Sequence, residues 1–92
     1  MKEHTRIYLT GMCYDVSDFV PCEVCQKKAV DIHHIDNRGM GGSKSKDYLL
    51  NLMALCRKCH NEYGDIEALL PALKHIHVKQ INARRKELSL QG

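Results

Sequence analysis

The 92-residue sequence has no tryptophan, one phenylalanine and two prolines, and no apolar run of membrane-spanning length. A chain this short buries too little apolar surface to be held by packing alone, so we expect one domain, residues 1–92, with an additional constraint. The N-terminus lacks the charged and then apolar segments of a secretory signal. We therefore expect no membrane partner and a reducing, cytoplasmic location.

A strong charge of either sign is also missing, since fourteen Lys and Arg residues against eleven Asp and Glu give a formal net charge of +3. This excess is compatible with a nucleic-acid partner but does not require one, and metal-bound thiolates would reduce it. Affinity for nucleic acid must then come from local groups. Two such groups precede the C-terminal segment: Arg38, Lys44 and Lys46 in the first, and Arg57 and Lys58 in the second.

Five cysteines are many for this length, and four of them form two Cys-x-x-Cys pairs, Cys22/Cys25 and Cys56/Cys59. Each pair can grip one ion, and two pairs complete the tetrahedron of a structural zinc site. In a reducing compartment such spacing indicates metal ligands rather than disulfides. We predict one structural Zn²⁺, with two independent redox pairs as the alternative. Cys13 is left over, as a buried small residue or a free thiol.

A rival pattern overlaps the second cysteine pair. The run from Cys56 to His60 satisfies the covalent c-type haem motif, in which His60 would be an axial ligand. Haem attachment takes place in exported proteins, and it would leave Cys22 and Cys25 without a role. The zinc interpretation accounts for all four cysteines and is preferred.

The polar and apolar patterns predict a few short elements. Residues 29–35 and 49–55 favour strands, and the glycine-rich segment 36–47 between them favours a loop. Residues 56–63 predict a short helix. Asp65 can cap a final helix over 65–90, which Pro71 should kink or divide near Leu70. Residues 1–20 fit neither period, and their structure stays open.

Three histidines and one asparagine form a recognisable pattern with these elements. His33 and His34 are adjacent at the end of a strand, so their side chains diverge, and His60 follows the last zinc ligand on a helix. With Asn51 they resemble the HNH endonuclease family in its zinc-binding four-cysteine variant. The matching runs are Asp31-Ile32-His33-His34-Ile35, Asn51-Leu52 and Leu55-Cys56-Arg57-Lys58-Cys59-His60. The resemblance covers residues 22–63 and leaves residues 1–20 and 65–90 as flanking elements.

The resemblance implies an α+β fold, a small ββα-metal domain similar to a treble clef, with a four-cysteine zinc site and a C-terminal helix. It also implies a metal-dependent endonuclease that hydrolyses DNA phosphodiester bonds. His34 would be the general base, His33 and His60 the ligands of a catalytic divalent cation, and Asn51 a structural brace. Many relatives have Asp in place of His33, so the ion is open among Mg²⁺, Mn²⁺, Ni²⁺ and Zn²⁺.

The chemistry fits these residue types independently of the family. A neutral imidazole takes a proton from water near neutral pH, and a cation stabilises the charge that develops on the phosphate and the leaving oxygen. The competing hypothesis is a non-catalytic zinc-finger module that binds nucleic acid or protein, which needs the cysteines but not His33, His34, Asn51 or His60.

Substrate contacts and biological setting follow only in outline. The expected contacts with the DNA backbone are Arg38, Lys44, Lys46, Arg57 and Lys58. One site cuts one strand, so double-strand cleavage requires a homodimer or two encounters. By analogy, the small size suits a phage or mobile-element enzyme in the cytoplasm of a bacterium or a phage-infected host cell.

Overall fold

A two-stranded antiparallel sheet with a helix packed on each face carries the candidate site. The computed structural model describes residues 2–36 and 47–91, so the predicted contacts Arg38, Lys44 and Lys46 lie outside the described residues. The elements in chain order are α1 (Glu3–Gly11), β1 (Asp31–His34), a 3₁₀ helix (Leu49–Asn51), β2 (Leu52–Leu55), α2 (Arg57–Tyr63), a second 3₁₀ helix (Glu67–Leu69) and α3 (Leu70–Gln91). The predicted α+β class with a C-terminal helix is confirmed.

The register of the sheet separates two small cores. His33 pairs with Met53 and His34 with Leu52, so consecutive residues of each strand face opposite sides. One side buries a cluster next to α2, formed by Cys22, Ile35, Met53, Leu55, Cys59 and Leu73. The other side buries a cluster next to α1, formed by Tyr8, Met12, Leu52, Ala54 and Ile81. The helix α3 contributes to both clusters and thus closes the domain.

The start of α3 corrects one expectation and confirms another. Asp65 does not cap the helix, because α3 begins only at Leu70 after the second 3₁₀ helix. The predicted break near Leu70 is confirmed. Pro71 is the second residue of α3, where its missing N–H has no partner within a helix in any case. No helix among the described residues is both long and apolar enough to cross a membrane.

The N-terminal segment, which has no clear period in sequence, forms α1 and is held by α3. Arg84 donates from Nε to the Met12 carbonyl at 2.9 Å and from Nη2 to the Cys13 carbonyl at 3.0 Å. Its guanidinium also lies 4.1 Å from the centroid of the Tyr14 ring. Cys13 has φ 60° and is exposed, so of its two predicted states the free thiol is the one observed.

A buried polar network joins α1, the first cysteine turn and α3. Tyr8 donates to Glu23 Oε2 at 2.5 Å, His77 Nδ1 lies 2.8 Å from Glu23 Oε1, and His77 Nε2 lies 2.7 Å from the Leu49 carbonyl. Burial alone would lower the pKa of His77, but its hydrogen bond to the Glu23 carboxylate raises it. The network is a buried ion pair whose members are each hydrogen-bonded, and loss of one partner would leave a buried charge uncompensated.

Candidate active site and zinc site

The four cysteines of the two Cys-x-x-Cys pairs converge on one point. Their sulfur atoms all lie within 4.8 Å of one another, and Cys25 Sγ and Cys56 Sγ are 3.6 Å apart. Ligands on a tetrahedral zinc ion with Zn–S bonds of about 2.3 Å are separated by about 3.8 Å. The four thiols are therefore positioned to bind one metal ion, and their spacing fits zinc.

Local backbone structure positions the sulfur atoms of each cysteine pair. In the first pair, the Gln26 amide donates to the Cys22 carbonyl at 2.9 Å, and Gln26 itself has φ 69°, so the chain turns sharply behind the sulfurs. In the second pair, Cys56 is the N-cap of α2, and the Cys59 amide donates to Cys56 Sγ at 3.4 Å. That hydrogen bond lowers the pKa of Cys56 to about 7, which favours the thiolate that a metal needs.

His33 and His60 face each other on the α2 side of the sheet. Their ring centroids are 4.8 Å apart. His33 is buried, and its Nε2 is the one buried side-chain nitrogen or oxygen without a hydrogen-bond partner among the described residues. Burial and the neighbouring His60 lower the pKa of His33, so its ring is neutral and offers a lone pair. An unpartnered buried nitrogen costs free energy unless something binds it.

The Asp31 carboxylate orients the His60 ring. Asp31 Oδ2 lies 3.0 Å from His60 Nδ1, and Arg57 holds the same carboxylate through Nε at 2.9 Å and Nη2 at 3.1 Å. Burial would raise the pKa of Asp31, but the hydrogen bonds from His60 and Arg57 lower it below its usual value. With the proton on Nδ1 facing the carboxylate, His60 Nε2 is the nitrogen left to bind a metal. His33 and His60 therefore offer two imidazoles on the same side of the sheet.

Gly64 leaves space for both imidazoles. Its backbone is helical, with φ −63° and ψ −38°, so its conformation does not call for glycine. A Cβ there would lie 2.6 Å from the His60 carbonyl oxygen, 2.7 Å from His60 Cδ2 and 3.2 Å from His33 Cε1. Close approach is therefore the reason for glycine at this position.

We expect Gly64→Ala to push the two imidazoles apart and to lower the free energy of unfolding by about 1–3 kcal/mol, as overpacking typically does. Thermal denaturation and titration with Mn²⁺ would measure both effects. Gly11→Ala is a matched control, because its Cβ would meet only the flexible end of the Leu49 side chain. Equal stability and equal metal affinity of the two variants would contradict this reading of Gly64.

His34 lies on the opposite face of β1, beside α1. Its Nε2 is 2.6 Å from Asp47 Oδ1, and its ring centroid is 4.7 Å from that of His4. Burial and the neighbouring His34 lower the pKa of His4. Neither His4 nor Asp47 lies in a periodic segment or a motif of the sequence, and only the fold brings them to His34.

Asn51 connects the two ends of the segment between the strands. Its Oδ1 accepts from the Asp36 amide at 2.9 Å, its Nδ2 donates to the Asp36 carbonyl at 3.0 Å, and its own carbonyl accepts from the Ile35 amide at 2.8 Å. Two of the residues predicted to contact the DNA backbone, Arg57 and Lys58, lie within the described residues. Lys58 is exposed, and Arg57 forms a salt bridge with Asp31.

Comparison with known proteins gives a match for the part of the chain that runs from the first cysteine pair to the end of α2. Residues 22–65 match the family model described as HNH endonuclease. A protein of Escherichia coli (strain K12) described as "Uncharacterized protein YdfU" is 45% identical over 42 residues, which make up 46% of this chain and 12% of that protein. The chain thus spans a small part of the length of this relative. No solved structure matches the chain.

Proposed function

We propose, from the match of residues 22–65 to the HNH endonuclease family model, that the chain is a metal-dependent endonuclease that hydrolyses phosphodiester bonds in DNA. Cys22, Cys25, Cys56 and Cys59 hold a structural Zn²⁺ in this proposal. His33 and His60 bind a catalytic divalent cation, and His34 is the general base.

The observation that carries the proposal is the unpartnered, buried Nε2 of His33 opposite His60. A zinc module that only binds a partner has no need for such an atom, whereas a metal ligand must keep its lone pair free. The Asp31 carboxylate, which is held by Arg57, orients the His60 imidazole through a hydrogen bond to Nδ1. With a cation bound, Asp31 and His60 would form the carboxylate–histidine–metal arrangement that is common in metalloenzymes.

Hydrolysis needs a deprotonated water and positive charge near the phosphate. The divalent cation, when bound, supplies the positive charge that stabilises the phosphate and the leaving oxygen. His34 supplies the base. Because Asp47 Oδ1 accepts the proton of His34 Nε2, the lone pair is on Nδ1, which takes the proton from the attacking water. Asn51 keeps His34 and β2 in register by closing the segment between the strands.

The DNA backbone would be bound by the exposed Lys58 and the outer side of Arg57, together with Arg38, Lys44 and Lys46. In the sequence, Arg57 and Lys58 lie between Cys56 and Cys59, shortly before His60, and the other three lie between the two strands. One such site cuts one strand, and double-strand cleavage would then take a homodimer or two encounters. We place this activity in the cytoplasm of a bacterium or of a phage-infected cell.

The test is nicking of supercoiled plasmid by the zinc-loaded protein with Mg²⁺, Mn²⁺ or Ni²⁺ added in turn. We expect metal-dependent nicking, with Mn²⁺ or Ni²⁺ more effective than Mg²⁺, because both proposed ligands are imidazoles. His60→Ala should need at least roughly 10–100-fold more of the ion, because loss of even an outer partner of a metal ligand typically costs that much affinity.

The matched control is His75→Ala, because His75 is an exposed histidine on α3. It should nick like the unaltered protein at every ion concentration. Absence of nicking with all three ions, in a protein that holds its zinc, would overturn the proposal and favour the non-catalytic zinc module.

A further inference from the structure

A second group of possible metal ligands lies on the α1 face of the sheet. His4 from α1, His34 from β1 and Asp47 from the segment before β2 each offer one ligand atom, and these atoms all lie within 4.8 Å of one another. All three residues are half-buried, so solvent does not fully surround their polar atoms. Two imidazoles and one carboxylate are a donor set that zinc accepts, with one position left open.

We propose that His4, His34 and Asp47 form a second divalent-cation site, selective for ions such as Zn²⁺ that accept imidazole, and that its occupation inhibits cleavage. The inhibitory part rests on the proposed function, because it requires His34 to be the general base. The binding part does not. Mg²⁺ prefers carboxylate and water ligands, so we expect it to bind weakly at this site.

Little movement is needed for an ion to enter. His34 Nε2 and Asp47 Oδ1 are 2.6 Å apart, whereas two nitrogen or oxygen ligands of a tetrahedral zinc ion are separated by about 3.3 Å. A shift of less than about 1 Å in two side chains therefore admits the ion. The His4 ring already lies beside the His34 ring, with centroids 4.7 Å apart. His4 can therefore bind the ion as the third ligand without rearrangement of α1.

Inhibition follows from the two nitrogens of one imidazole. In the absence of an ion, His34 Nε2 lies 2.6 Å from Asp47 Oδ1, and since a carboxylate only accepts hydrogen bonds, a neutral ring has its proton on Nε2 and its lone pair on Nδ1. An ion that binds Nε2 requires the lone pair there, so the proton of the neutral ring moves to Nδ1. Nδ1 can then no longer take a proton from water. The same histidine cannot bind this ion and serve as the base.

This second site is separate from the His33 and His60 pair. His33 and His34 are consecutive on β1 and face opposite sides of the sheet, and His60 lies with His33 on the α2 side. The two sites can therefore be removed one at a time. His4→Ala removes a ligand only from the second site, and His60→Ala removes one only from the first.

The binding experiment is a calorimetric titration of Zn²⁺ into protein that already holds one zinc ion at its cysteines, as checked by elemental analysis. We expect two further binding events in the unaltered protein and in the His75→Ala control, one in His4→Ala, one in His60→Ala and none in the double variant. Circular dichroism confirms that each variant is folded. Two events in His4→Ala, or none in the unaltered protein, would overturn the second site. Two events in His60→Ala would instead count against the catalytic ion of the proposed function.

The inhibition experiment compares, within each protein, Mn²⁺-supported nicking with and without added Zn²⁺. We expect Zn²⁺ to inhibit the unaltered protein at a concentration roughly 10-fold or more below that needed for His4→Ala, because even outer partners of metal ligands are worth about 10–100-fold in affinity. The ratio is independent of the basal rate of each variant. Equal sensitivity of the two proteins to Zn²⁺ would overturn the inhibitory role.

Discussion

Removal of the structural metal is expected to unfold the whole domain. The four thiols join the turn at residues 22–25 to the start of α2, and Cys22 and Cys59 are also part of the core cluster next to α2. Native domains have a net stability of only about 5–15 kcal/mol in all. Structural zinc binding contributes about 10–16 kcal/mol in zinc-finger peptides near neutral pH. Loss of the metal would therefore remove about as much free energy as the whole net stability, and the apo chain should not keep its tertiary structure.

The measurement is circular dichroism and a two-dimensional amide NMR spectrum during titration with a zinc chelator. Helical signal and amide dispersion should disappear together and return when Zn²⁺ is added. Cys22→Ser should reproduce the apo state, since a hydroxyl is a poor zinc ligand. Cys13→Ser is the matched control and should behave like the unaltered protein, because Cys13 is exposed and outside the four-thiol cluster. A chelated protein with a dispersed native spectrum would contradict the expectation.

Parts of the fold that depend on local chemistry could be predicted from the sequence. The two Cys-x-x-Cys pairs have few chemical uses in combination, so their convergence followed from spacing alone. The alternation of side chains along a strand predicted that His33 and His34 face opposite sides of the sheet. Pro71 indicated a break near Leu70, because a proline inside a helix removes a hydrogen bond and its ring clashes with the preceding turn.

Contacts between distant segments could not be predicted in the same way. Glu23 and His77 are far apart in sequence, and nothing in either neighbourhood indicates that they form a buried ion pair. His4 belongs to a segment whose apolar spacing fits no period well, so neither α1 nor its approach to His34 was foreseen. Asp65 had the chemistry of a cap, but Pro71 favours a helix that begins at Leu70. Tertiary packing decided each of these cases.

Replacement of His34 by alanine should have the largest effect on cleavage. A positioned general base contributes about 10²–10⁴-fold to a rate, which corresponds to about 3–5 kcal/mol in the activation barrier. His34→Ala should lower the rate of nicking by this factor with every ion that supports the reaction. Its affinity for the ion at His33 and His60 should remain, because these two ligands lie on the other face of β1.

The decisive comparison is therefore between rate and metal affinity in two variants. Single-turnover nicking over a range of Mn²⁺ concentrations should give His34→Ala a low maximal rate with an unaltered midpoint, and His60→Ala a displaced midpoint. A purely structural histidine would give neither pattern, since loss of fold lowers rate, zinc content and amide dispersion together. If His34→Ala nicks at the rate of the unaltered protein while zinc content is the same, a group other than His34 accepts the proton from water. The contact between Asp47 and His34 Nε2 would then serve only to join β1 to the segment before β2.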